Sequence, residues 1–275
     1  FFTAEVLVLY SLVGFILPLT CRLKDKWVFL LACVLLIQPL PLYYVIRACL
    51  DPSFITPAIP TRSFWDATFA VQSHGSFLET VRVNLWEGQI ASLAWAWDHG
   101  RVFQTAALFL LGMLIGRRGL FQKENLKVWN KILAGALIAF FPLYGLGNML
   151  PAFIVNKSIL TPLSLIITSL SNFSFMLVLV SGVIFAFYNT NMHYLLMKIT
   201  PYGKMSLTNY ITQSIVGSML YYNWGFALHN QCGITVSCLA GIAFFILQFT
   251  FCRWWMSHHS HGPMEYIWKR ATWLK

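Results

Sequence analysis

The chain has 275 residues, 58% hydrophobic and only 10% charged, with a formal net charge of +10 and a mean hydropathy of +0.65. A soluble domain carries about 25% charged residues, so the composition excludes a water-soluble globule and indicates a polytopic membrane protein. The basic residues are scattered between apolar runs rather than gathered on one face, which excludes a nucleic-acid-binding surface and makes them topology determinants.

A membrane-crossing helix needs about 20 predominantly apolar residues. Seven such runs predict an all-α bundle of about seven spans in one membrane domain covering 1–275. The first run, from Thr3 to Thr20, begins almost at Phe1, with no Met and no signal peptide, and reads as the body of a span. The chain is therefore expected to be a piece that lacks its N-terminal helices. The second run, 27–46, contains Pro39 and Pro41, which should kink it or end its regular helix early. A polar stretch over 47–74 follows, with Pro52, Pro57 and Pro60 arguing for an extended loop.

Residues 76–98 are helical in pattern but carry Glu79, Arg82, Asn84, Glu87 and Gln89. Glu79 and Arg82 are spaced as i,i+3 partners. The segment either spans the membrane or lies at its surface as an amphipathic helix with a Trp-rich end. The third run, 102–116, holds Gly112 and Gly116, a small-xxx-small face suited to close helix approach. The fourth, 128–150, has an outer half loosened by Pro142, Gly145, Gly147 and Asn148. The fifth, 163–187, places Ser164, Thr168 and Asn172 on one polar stripe. A basic loop with His193, Lys198, Pro201 and Lys204 leads to the sixth, 205–226. The seventh, 234–256, precedes a tail with Lys269, Arg270 and Lys275.

Charge decides the ambiguous segment. If 76–98 does not cross, fourteen of the nineteen Lys and Arg fall on one side. If it crosses, that asymmetry largely cancels. The positive-inside rule then places residue 1 outside, the C-terminus in the cytoplasm, and 47–100 as an outer-side cap.

The stretch from Gly203 to Tyr210 reads G-K-M-S-L-T-N-Y, followed by Gln213-Ser214. It resembles the signature of the YeiB-like membrane proteins, domain-of-unknown-function family 418. Residues 109–117 (F-L-L-G-M-L-I-G-R), the Gln248–Trp255 segment and Gly262-Pro263-Met264-Glu265 are similar to further elements of that family, so the resemblance covers about 75–275. Lys204 stands where the family usually has Arg, and the family's N-terminal Leu-Asp-x-x-Arg-Gly element is absent from this chain. The resemblance implies an α-helical bacterial inner-membrane protein. At greater distance it implies kinship with membrane acyltransferases that modify sugars and glycans, in which part of the catalytic machinery lies in the N-terminal helices.

The candidate residues each have a plain structural reading beside the functional one. Asn209 and Gln213 share a helix face, and amides in hydrocarbon either pair between helices or line a ligand site; Asn172 and Thr168 are their natural partners. Glu79, Arg82, Asn84 and Glu87 form either a solvated helix face or the wall of an outer cavity that recognises a sugar or headgroup. There a carboxylate acts as general base only if burial raises its pKa. His74, His99 and His229 fall on the outer side. His229 is the preferred catalytic candidate because it ends the run bearing Asn209 and Gln213. Arg117 and Arg118 read as topology anchors, or as holders of the phosphates of a cytoplasmic acyl donor. His258, His259 and His261 lack supporting ligands at metal spacing. The expected topology allows Cys49 and Cys232 both to face the outer side, where a disulfide is the alternative to two small apolar side chains, and the six cysteines show no C-x-x-C spacing.

The expectation is thus an integral inner-membrane protein with the lipid bilayer as its partner, acyltransferase-like, passing an acyl group from a cytoplasmic donor such as acyl-CoA to an outer-side glycan or small acceptor, with no cofactor identified. Its catalytic residues would be His229 and Glu87, and its substrate contacts Arg82, Asn84, Asn172, Asn209, Gln213 and Arg117. A small-solute transporter and a non-catalytic scaffold are the alternatives.

Overall fold

The computed structural model describes residues 5–57 and 61–273; Phe1, Thr3, Pro60 and Lys275 lie outside the described residues. The described chain is all α, with no strand among those residues. It forms two compact units. One contains 5–57, Thr61 and 91–188, and the other contains 62–90 and 189–273.

The 91–188 unit begins with two short helices, α1 (Val6–Gly14) and α2 (Ile16–Thr20), the first capped by the Glu5 carboxylate, which accepts from the Leu7 N–H. Helix α3 (Asp25–Leu36) ends at Gln38, which has φ 61°, and α4 (Pro39–Leu50) starts at once. Pro39 has no N–H to continue the ladder and pushes the residue before it out of the α region. The expected kink is therefore a full break, and the two halves meet at 51°. Helices α5 (Thr61–His74) and α6 (Phe77–Leu85), which belong to the second unit, precede α7 (Glu87–Asp98), whose residues after Ile90 return to this one. A second break at Gly100, φ 64°, separates α7 from α8 (Arg101–Arg117) with a bend of 76°. Then α9 (Leu126–Phe153) and α10 (Lys157–Tyr188) form a long packed pair. Pro142 does not interrupt α9, because a single missing N–H leaves the other ladder bonds in place.

The core of this unit is the α3–α8 seam, where Val28, Ala32, Leu110 and Leu114 meet at i,i+4 spacing. The expected close-approach face of Gly112 and Gly116 is not part of it. A Cβ at either glycine would meet nothing within 4 Å, and Ala32 supplies the small residue instead. The polar stripe expected on α10 is also shifted. Thr168 and Asn172 are exposed, and Ser169, Ser174 and Ser181, with Ile166 and Ile184, form the buried face.

The 189–273 unit adds α11 (Thr190–Lys204), α12 (Ser206–Tyr221), α13 (Ile234–His258) and α14 (Pro263–Trp273) to α5 and α6. The segment expected as a basic loop before α12 is helix α11, started by the Asn189 side chain, which accepts from the N–H groups of Asn191 and Met192. At α6, Ser76 and Glu79 form a capping box, so Glu79 serves its own helix end rather than pairing with Arg82.

Among the described residues, three helical segments are long and apolar enough to cross a membrane: 123–153, α10 and α13. The number rises to five if each bent pair, α3 with α4 and α7 with α8, counts as one span. Of the seven expected runs, the first is the short pair Val6–Thr20 and the sixth is the 16-residue α12.

Candidate functional site

The stretch that carries the family resemblance lies at the start of α12. The residue before the helix, Met205, provides no side-chain cap. A helix start leaves N–H groups unpaired, and here the cap comes from elsewhere in the chain. Glu265, in the first turn of α14, accepts from the Thr208 N–H at 3.0 Å and from the Thr208 hydroxyl at 2.5 Å. The Thr208 oxygen in turn accepts from the Met264 N–H at 3.1 Å. Burial raises the Glu265 carboxyl pKa, but hydrogen bonds from the Thr208 hydroxyl and from backbone N–H groups outweigh it, so the group titrates below its usual range. Gly262 makes room for this clamp: a Cβ there would lie 2.1 Å from Glu265 Oε2 and 3.0 Å from Met205 Cγ. The motif residues Thr208, Gly262 and Glu265 are therefore one mechanical element.

From the next residue onward, the amides form a connected network. Asn209 is buried. Its Nδ2 donates to the Tyr202 carbonyl at 3.1 Å, and its Oδ1 accepts from the Cys252 thiol at 3.2 Å. Gln248 Nε2 donates to the Asn209 carbonyl at 3.2 Å. Gln213 Nε2 donates to Gln248 Oε1 at 2.9 Å and to the Tyr202 hydroxyl oxygen at 3.0 Å. Asn209 and Gln213 thus pair with α11 and α13, while their expected partners Asn172 and Thr168 lie on α10 of the other unit. Tyr202, Gln248 and Cys252 were missed as partners. The signal was present, since Gln248 is a lone amide inside an apolar run, just as Gln213 is.

His229 sits in the loop that follows α12. That loop is tightly built. Ala227 has φ 51°, and a Cβ at Gly225 would lie 2.0 Å from the Met219 carbonyl oxygen. The Asn223 N–H donates to the Gln72 carbonyl at 2.9 Å, and the Trp224 ring packs edge-on against Phe77 at 5.0 Å, so the loop is docked on the α5–α6 connection. His229 Nδ1 lies 2.8 Å from the Tyr221 carbonyl oxygen. A carbonyl only accepts, so in the neutral ring Nδ1 carries the proton and Nε2 keeps a lone pair. In the same loop, Trp224 Nε1 is a buried donor with no partner.

The remaining candidates are placed as follows. Arg82 is exposed on α6, Asn84 is buried there, and Glu87 is half-buried at the start of α7. Arg117 is committed to structure: it donates to the carbonyls of Cys21 and Leu23 and pairs with Asp25 at 3.2 Å, and Arg118 pairs with the same carboxylate at 3.0 Å. His99 is exposed and stacked on Trp95 at 4.5 Å. Cys49 and Cys232 carry free thiols. Among the described residues no group of three His, Cys, Asp or Glu is arranged to hold a metal ion.

Comparison with known proteins locates the chain among uncharacterised relatives. It is similar to "Uncharacterized protein YxaH" of Bacillus subtilis (strain 168), 30% identical over 95 residues, which is 34% of this chain and 24% of that protein. It is similar to an "Uncharacterized 39.9 kDa protein in amylase 3'region" of Bacillus acidopullulyticus, 32% identical over 78 residues, 28% of this chain and 22% of that one. It is also similar to "Uncharacterized protein YeiB" of Escherichia coli (strain K12), 29% identical over 83 residues, 28% of this chain and 20% of that one. The matches thus span no more than 24% of the length of these relatives. No solved structure matches the chain. Residues 115–275, more than half of the chain, match the family described as "Protein of unknown function (DUF418)", and the chain belongs to that family.

Proposed function

We propose that the protein is a membrane acyltransferase of the bacterial inner membrane, passing an acyl group from a cytoplasmic donor such as acyl-CoA to an outer-side glycan or small acceptor. The observation that carries this reading is the orientation of His229. Its Nδ1–H is spent on the Tyr221 carbonyl, in a loop held to the α5–α6 connection, so Nε2 is the free base. In the transfer step Nε2 takes the proton of an acceptor hydroxyl as its oxygen bonds to the acyl carbon. The carbon–sulfur bond of the thioester breaks, and the proton passes to the departing thiolate. The unpartnered Trp224 Nε1–H is a donor suited to a carbonyl oxygen that gains charge.

Arg82, Asn84 and Glu87 contribute the acceptor side of the site in this reading. Asn209 positions the helix that leads to His229. At the cytoplasmic end, Arg117 and Arg118 carry two positive charges against the one of Asp25, leaving an excess that favours an anionic donor. The scattered cations, concentrated on one side of the expected topology, and relatives in Bacillus and Escherichia support the inner-membrane placement.

The test is binding of labelled acyl-CoA to the full-length protein in detergent, with unlabelled CoA as competitor. Saturable, competed binding is expected. Absence of binding by folded protein overturns the reading and directs attention to solute flux.

A further inference from the structure

Two helix breaks of the 91–188 unit meet at one side chain. Gln38, at the α3–α4 break, is fully buried. Its Nε2 donates to the Gly100 carbonyl, at the α7–α8 break, and to Ser169 Oγ on α10, both at 3.0 Å. Gln104 extends the contact. Its N–H donates to the Gly100 carbonyl at 3.1 Å, its Nε2 to the Ser169 carbonyl at 3.4 Å, and its Oε1 accepts from Arg101 at 3.0 Å. Gly100 is required twice over, by its φ of 64° and by space: a Cβ there would lie 2.4 Å from Gln38 Oε1 and 2.8 Å from Leu165 Cδ2.

The crossing is deep. Gln38 follows Asp25, at the basic end of the unit, by thirteen residues, about 20 Å of helix at 1.5 Å per residue. Broken helices at such depth are tolerated only where protein satisfies the freed backbone groups. Here the satisfaction is incomplete. Gln38 is a non-glycine residue with φ 61°, and its Oε1 is buried without a partner. Strain of this kind persists where the surrounding structure holds it, and it marks elements with a second arrangement close in free energy.

We propose that Gln38 is a latch that couples the two breaks into a single hinge. The reason is reciprocity. The Gly100 carbonyl takes its side-chain donor from the other break, and Gln38 is held in its strained backbone state by bonds to Gly100 and Ser169. Releasing either end frees both, and it lets Oε1 find the donor that the closed latch denies it. Helices α4 and α8, which start at the two breaks, then pivot together against α10.

The test is hydrogen exchange on the intact protein in nanodiscs, comparing wild type with Gln38→Ala and Ser169→Ala. Ser169→Ala leaves both break sequences untouched, so it keeps the test available if Gln38→Ala does not fold. Loss of a buried hydrogen bond should raise exchange about tenfold at the hydrogen-bonded N–H groups of Ile37, Gln38 and Leu42 and, in parallel, at those of Gly100 and Gln104. Ser174→Ala, whose hydroxyl bonds only within its own helix, should change neither set. A rise confined to residues 37–42, or one spread evenly over the whole chain, overturns the proposal.

Discussion

Replacing Glu265 by Ala removes the cap of α12 from a distance of 57 residues in sequence. Two hydrogen bonds to a carboxylate are lost, one of them from a helix-start N–H. Bonds to charged groups contribute about 1.5–3 kcal/mol each, and helix caps about 1 kcal/mol. The two bonds share one donor residue and do not add fully, so a cost of about 2–3 kcal/mol follows for Glu265→Ala, and about 1 kcal/mol for Glu265→Gln, which keeps one acceptor. The pH dependence has a definite sign. The folded-state pKa lies below the ordinary 4.5, so the carboxylate stabilises the fold above that value and the contribution disappears as pH falls through the lowered folded-state pKa. The gap between wild type and Glu265→Gln should therefore be widest near pH 7 and should narrow as pH falls through the lowered folded-state pKa. Gly262→Ala should act through the same contact, because its Cβ displaces the carboxylate. Its cost should largely vanish in the Glu265→Ala background. The assay is denaturant unfolding in mixed micelles, with hydrogen exchange at the first turn of α12. If Glu265→Ala unfolds like wild type, or if the two substitutions add fully, the clamp is not what holds these helices.

Replacing Asn209 and Gln213 together by Leu should cost about 1–2 kcal/mol, since hydrogen bonds within a bundle contribute about 0.6 kcal/mol each and up to about 1.7. Abundance should fall while acyl transfer per folded molecule stays the same; normal abundance with lost transfer would make these amides a substrate site. Trp129→Phe should destabilise by about 1–3 kcal/mol, because the fully buried indole N–H donates to the Leu120 carbonyl at 2.7 Å. An unchanged thermal transition in detergent would contradict that reading.

Much of the fold was legible because hydrocarbon imposes simple demands. The apolar runs are helices, and Pro39 breaks the second run where its missing N–H requires it. The helical period does not show which face of a uniformly apolar helix is buried, and two expectations failed there. Gly112 and Gly116 look like a packing face, yet the seam is made by Ala32, Leu110 and Leu114. Thr168 and Asn172 look like the inner stripe, yet Ser169 is inside. The break at Gly100 was legible, because the polar Asp98-His99-Gly100-Arg101 run separates residues 76–98 from the run at 102–116, but the break inside 76–98, between α6 and α7, was not. What the sequence could not convey at all were partnerships across 57 or 62 residues, Thr208 with Glu265 and Gln38 with Gly100. The Glu265 motif was visible as a resemblance, but its role as a cap arises only from the packing of α14 against the start of α12.

The most direct test of the acyl-transfer account uses full-length protein in sided vesicles, with labelled acyl-CoA outside the cytoplasmic face and a hydroxyl acceptor on the other. The account predicts label on the acceptor with wild type. It predicts loss of transfer in His229→Ala, with folding and acyl-CoA binding retained. Equal transfer by wild type and His229→Ala, or no transfer by a well-folded wild type that binds acyl-CoA, would contradict it.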